Sequence, residues 1–170
     1  MKIVLKNGLM MLVAALMFAA CSPVERKELG APRNILESIA GTWKLTKATQ
    51  VDEDASKKGF PYKELDITSL FPYTNFVLTL NLNSGAPGTF TTTPGTSPKI
   101  IKLASGNWTV DNAAYPKDIT LTSGTTTEKI SLGSYPVGAS KTLKIKVERS
   151  VLLPAGPKLL ISYSYEFAKQ

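Results

Sequence analysis

From Phe76 to the carboxyl terminus the chain keeps one rhythm: apolar residues at every second position, in short runs separated by glycine- and proline-rich connections. Phe76, Leu78, Leu80 and Leu82 alternate with Val77, Thr79 and Asn81; Trp108 and Val110 with Asn107, Thr109 and Asp111; Ile119 and Leu121 with Asp118, Thr120 and Thr122. Ile130 and Leu132 continue the series, then Leu143, Ile145 and Val147 between Lys144, Lys146 and Glu148, then Leu159, Ile161, Tyr163, Tyr165 and Phe167. Successive side chains of an extended strand point to opposite faces, so each run is a strand with one dry and one wet face. Trp43 and Leu45, between Lys44 and Thr46, read the same way, and the threonine-rich Thr89 to Thr93 adds another strand. The count is about eight strands at short spacing. The connections, such as Asn83-Ser84-Gly85-Ala86-Pro87-Gly88, Ser123-Gly124, Tyr135-Pro136-Val137-Gly138 and Pro154-Ala155-Gly156-Pro157, have no room for a crossover helix. Neighbouring strands therefore pair antiparallel.

An antiparallel meander with one apolar face must hide that face and two edges. Closing into a barrel hides both, whereas folding into two layers hides only the face. The expected fold is all-β: an antiparallel up-and-down eight-strand barrel with a short amino-terminal helix. That helix covers Ile35, Leu36, Ile39 and Ala40, capped by Asn34 and ended by Gly41. Val51 to Tyr62 reads as a polar loop, and Leu65 to Leu70 as a turn of helix ahead of Pro72. The threonine run Thr89 to Thr96 reads as an edge strand, with glycosylation as the other use of its hydroxyls.

Gly41-Thr42-Trp43, after a short helix and at the head of the meander, resembles the Gly-x-Trp signature of the lipocalin fold. The resemblance in layout covers Ile35 to Gln170 and implies a lipocalin-like barrel whose closed end is plugged by Trp43. Gly106-Asn107-Trp108 repeats the triplet in mid-chain. Ordinary core packing is the other reading of both tryptophans.

Residues 1–20 read as a secretory signal: Lys2 and Lys6 lead into an apolar run from Leu9 to Ala20 that ends in small residues. At about twelve residues, that run is well short of the roughly twenty needed to span a bilayer. Ala19-Ala20-Cys21 resembles the lipobox of bacterial lipoproteins, with Phe18 where that family usually has Leu. The resemblance implies cleavage before Cys21, a diacylglyceryl thioether on its sulfur and a fatty acyl group, such as palmitate, on the new amino terminus. Several acyl chains hold a protein stably at a membrane. Ser22 stands where well-studied enteric lipoproteins carry an inner-membrane retention aspartate, so outer-membrane delivery is expected. Residues 21–33, with Pro23, Gly30 and Pro32, form a flexible tether, and residues 34–170 the barrel domain. Lipobox and barrel together resemble the lipocalin-like lipoproteins of unknown function found in Bacteroidetes.

Composition bears on function mostly by exclusion. The chain has no histidine, the commonest general base and metal ligand, and its one cysteine belongs to the lipid. The formal charge of +7 rests on scattered lysines without a basic block, and nucleic acid is not an expected partner. Asp52-Glu53-Asp54 lacks the spacing and central glycine of a calcium loop and reads as a solvated cluster. Glu64, Asp66 and Glu166 read as lone acids. No catalytic residue, metal site or cofactor is expected, and the protein reads as a non-enzyme. Two classes stay open. In one, the barrel carries a small apolar or amphipathic ligand in a cavity lined by Trp108, Tyr163, Tyr165 and Phe167 and reached from one barrel end. In the other, those side chains fill the barrel and the domain contacts an envelope protein or a glycan. Phe60-Pro61-Tyr62 and Leu70-Phe71-Pro72-Tyr73 would serve that contact, or pack as a lid on the barrel end.

Overall fold

A computed structural model describes residues 34–136, 141–154 and 156–170. The leader, Cys21, the tether, and parts of the expected turns at 135–138 and 154–157 lie outside the described residues. In chain order the elements are α1 (Ile35–Ile39), β1 (Gly41–Asp52), α2 (Glu53–Lys57), β2 (Glu64–Asp66) and a 3-10 turn (Tyr73–Asn75). Seven strands follow: β3 (Val77–Asn83), β4 (Ala86–Thr93), β5 (Ser105–Val110), β6 (Asp118–Ser123), β7 (Thr126–Ser134), β8 (Thr142–Leu153) and β9 (Gly156–Lys169).

From β3 to β9 each strand pairs antiparallel with the next, and β1 pairs with both β3 and β9. The meander is thus an eight-strand closed barrel, as the alternation requires. β4 consequently has partners on both sides, which corrects the edge-strand reading of the threonine run. One short extra strand, β2, lies on β1 at Thr49–Val51, beyond the stretch Gly41–Lys44 that pairs with β3.

The inner face follows the predicted parity. Trp43 faces Leu78, Leu80 faces Phe90, Trp108 faces Leu121, Ile119 faces Ile130, and Leu143 faces Phe167. All of these are buried. Among the described residues the register shifts at four irregularities, two of which involve β9. One, between Leu45 and Lys47, keeps Ala48 buried and opposite Tyr165; the other sets Ser150 opposite Leu159, so the inward series of β9 ends at Ile161.

One barrel end is sealed by α1 and Trp43. The Asn34 side chain caps the helix by accepting from the Leu36 amide at 3.0 Å. Leu36 and Ile39 turn inward, and the Trp43 indole donates to the Ile39 carbonyl at 2.7 Å. The Lys169 ammonium lies 5.4 Å from the Trp43 ring centre, a cation–π contact that covers the plug.

Two segments depart from the sequence reading. Val51 and Asp52 continue β1, and Asp52 caps α2 by accepting from the Ala55 amide at 2.9 Å, so the expected polar loop holds a helix. Leu65 to Leu70 is not helical: β1 still offers backbone hydrogen bonds there, and β2 takes them. The Ile67 amide then donates to the Ala48 carbonyl at 2.9 Å, and helical turn forms only after Pro72.

Candidate functional site

Burial grades along the barrel. Leu45, Phe76, Phe167, Leu143 and Ile145 expose no surface, so the half near the plug is solid. One step further, Gln50 faces Tyr163, and Tyr163 faces Val147. All three are half-buried. This tier is the wet boundary of the interior. Of the four aromatics expected to line a cavity, Trp108 and Phe167 are enclosed in the core, and the Trp108 indole donates to the Asn81 carbonyl at 2.7 Å. Tyr165 is buried just inside the boundary and Tyr163 stands at it, their rings stacked with centres 6.2 Å apart. Tyr73, from the segment after β2, packs against Tyr165 at 6.1 Å. Burial pushes the Tyr165 hydroxyl well above the ordinary tyrosine pKa, with Tyr73 and Tyr163 adding to the shift and Arg149 opposing it. Phe76 meets Phe167 edge-on at 6.2 Å.

The wall parts beside this tier. The β7–β8 ladder runs from Ser134 opposite Lys144 to Ser131 opposite Lys146, although both strands continue past it. Beyond that last pair β7 stays on β6 and β8 stays on β9. The gap holds a cavity of about 320 Å³, lined by inward residues (Glu128, Ile130, Val147, Arg149) and outward ones (Lys129, Ser131, Lys146, Glu148). Consecutive residues of both strands line the cavity, so it is a seam in the wall where the two strands part. This hollow lies in the side of the barrel, between β7 and β8. A second hollow of about 310 Å³ lies between the β1 end, at Gln50 and Asp52, and Tyr62 to Leu65.

The surroundings of the seam are pinned by charge. Glu128, inward and opposite Leu121, accepts from the Lys102 amide at 2.7 Å and the Leu103 amide at 3.3 Å, tying the β4–β5 loop over the end of the barrel. That loop also tucks Ile100 and Ile101 into the core. Outside, α2 is fastened to β9: the buried Ser162 hydroxyl donates to Glu53 at 2.6 Å, and Lys146 bridges Glu53 at 2.9 Å and Glu148 at 3.3 Å. Those two hydrogen bonds hold the Glu53 carboxyl below its usual pKa. Asp54 pairs with Lys58 at 2.6 Å and with Lys158 at 3.5 Å. The expected solvated cluster Asp52-Glu53-Asp54 is thus three carboxylates with three separate jobs. Glu166, expected alone, pairs across the ladder with Lys144 at 3.0 Å.

Sequence reasoning missed Glu128, Arg149 and Lys102. For the first two there was a signal: Glu128 stands two positions before Ile130 and Arg149 two after Val147, so both are charges at apolar parity. Lys102 lies in a loop, where parity carries nothing. The apolar side chains Phe60, Tyr62, Leu70 and Phe71 are exposed, whereas Tyr73 packs inside, so the segment supplies both a plug and an apolar surface. Val151, Leu152 and Leu153, at the tip of the long β8–β9 hairpin, are exposed as well.

A closed up-and-down eight-strand barrel, plugged at one end by a helix and a tryptophan and parted near the other, has the architecture of the ligand-binding barrels. A family model described as the lipocalin-like domain matches residues 39–135, more than half of the chain, from the end of α1 through β7. The chain belongs to the lipocalin-like domain family. Neither a curated relative nor a solved structure matches it.

Proposed function

We propose that this protein is a lipid-anchored binding protein of the cell envelope, without catalytic activity, that holds a small apolar or amphipathic ligand at the parted end of its barrel. The observation that supports the reading is the seam: a cavity open to solvent whose lining includes Ile130 and Val147, with Tyr163 opposite Val147 on the β8–β9 ladder. A ligand seated there exchanges water for apolar surface at about 25 cal/mol per Å². The anchor rests on the lipobox resemblance at Cys21, with the outer membrane as the expected site. Native mass spectrometry of the protein purified from its own cells tests the reading: a co-purifying small molecule supports it, and an empty barrel bound to another protein overturns it.

A second reading, an interaction module for an envelope protein or glycan, is favoured by the exposed Phe60, Tyr62, Leu70, Phe71 and Leu152. Monomeric proteins rarely leave large contiguous apolar patches open to water. In the same spectra, a partner protein or glycan bound without any small molecule is the outcome that selects it.

A further inference from the structure

Six charged side chains line the seam, and four of them are already committed. Glu128 is taken by two backbone amides, Lys129 by Asp118 at 2.8 Å, and Lys146 by Glu53 with Glu148 alongside. Lys102 and Arg149 are left over: among the described residues neither has a carboxylate within ion-pair distance. The two acids of the cavity are thus held by partners of their own, Glu128 by backbone amides and Glu148 by Lys146, and the two charged groups left without an ion-pair partner are both cations.

Where Arg149 stands matters as much as its charge. It follows Ile145 and Val147 on the inner face of β8 and is the last inward residue before the strand irregularity at Ser150. It is also the sole arginine among the described residues. A strand fixes the root of its side chain, and exposure keeps the guanidinium hydrated when the cavity is empty. A planar guanidinium with five donors suits an oxyanion, which it grips through paired charge-assisted hydrogen bonds.

We infer that the seam takes a single-tailed amphipathic anion, its headgroup held by Arg149 and Lys102 and its apolar part laid against Ile130, Val147 and Tyr163. This deepens the carrier reading and rests on it. The opposing account makes the two cations ordinary solvated charges at a barrel rim.

A matched pair of fluorescent probes separates the accounts: anilinonaphthalene sulfonate, an anion, and N-phenylnaphthylamine, the same aromatic framework without the sulfonate. Both are titrated into the mature-length chain, Cys21 to Gln170, carrying Cys21→Ala so that no acyl chain competes, with unfolding midpoints checked for every variant. The expected result is sulfonate binding at least about tenfold tighter than the neutral probe, the yield of one good charge-assisted pair. Arg149→Ala should remove about tenfold of the sulfonate affinity while leaving the neutral probe within about twofold, and Arg149→Lys should recover part of the loss. Equal binding of both probes, unaffected by Arg149→Ala, overturns the anion inference and leaves the carrier reading standing. Binding of neither probe to the parent chain overturns both.

Discussion

Gly106→Ala is a severe test of how tightly this barrel is built. Gly106 lies on β5 opposite Phe90, with φ at +156°, a backbone state that a side chain rarely adopts. A methyl group added there would run into the Thr122 carbonyl oxygen on β6 and come within 3.1 Å of the Phe90 ring. The first obstacle is backbone inside a ladder and cannot swing away. Overpacking of a rigid interior costs about 1–3 kcal/mol, and an unfavourable positive φ adds about 1–2 kcal/mol. The sum, about 2–5 kcal/mol, is a large part of the 5–15 kcal/mol that typically holds a domain folded. At about 3 °C per kcal/mol for a domain of this size, the midpoint should fall by about 6–15 °C. Gly124→Ala is the control: it shares a positive φ, +58°, but its methyl meets open space, so about 1–2 kcal/mol is expected. Urea titration followed by tryptophan fluorescence reads both, since Trp108 sits two residues away. The steric part alone should separate the two variants by about 1–3 kcal/mol, so if Gly106→Ala lies within about 0.5 kcal/mol of Gly124→Ala at an unchanged urea slope, the steric argument is wrong.

Trp43→Phe keeps an aromatic plug but leaves the buried Ile39 carbonyl without its 2.7 Å donor, so a loss of about 2–4 kcal/mol is expected by urea titration. Glu53→Gln should flatten the acid limb of stability. The Glu53 carboxyl is held below its ordinary pKa by Ser162 and Lys146, so its contribution is full above the unfolded pKa and fades as pH falls through the folded one. The parent should therefore lead the variant at pH 6 and converge with it toward pH 3, near and below the usual carboxylate range; a constant gap across that window would show that the carboxylate charge is not what matters. Cys21→Ala in cells should abolish palmitate labelling and release the protein from membranes, and persistent labelling would refute acylation at that residue.

How much of this was legible in the sequence follows from what each signal measures. Parity reports which face a side chain takes within one strand, and it placed Leu78, Trp108, Ile119, Leu143 and Phe167 on the inner wall, as the structure has them. Closure followed because an antiparallel meander without crossovers has few other ways to satisfy its edges. The stretch from Val51 to Leu70 failed for a different reason. Its residues are locally ambiguous, and the capping Asp52 and the free edge of β1 decided them through hydrogen bonds that no periodicity encodes. The Gly-x-Trp triplets are a sharper case. Gly41 and Gly106 both stand two residues before a core tryptophan, and at Gly106 the added methyl would strike another strand's backbone. The second triplet is therefore a packing requirement of its own, although the sequence offers no way to tell it from a chance repeat.

The seam marks where the reading stops. Glu128 and Arg149 keep the inward parity of their strands yet carry charge, and a charged residue on a dry face says that the face is no longer dry there. That inference was available from the alternation alone. What the alternation could not supply is the partner across the gap. Whether β7 and β8 still touch at Ile130 and Val147 depends on where their ladder ends, and that is fixed by a register shift between Leu132 and Ser134 and by β8 following β9 instead. A site of this kind is made by two strands that part company, so its existence is a property of the closed sheet and only its charges are a property of the strands.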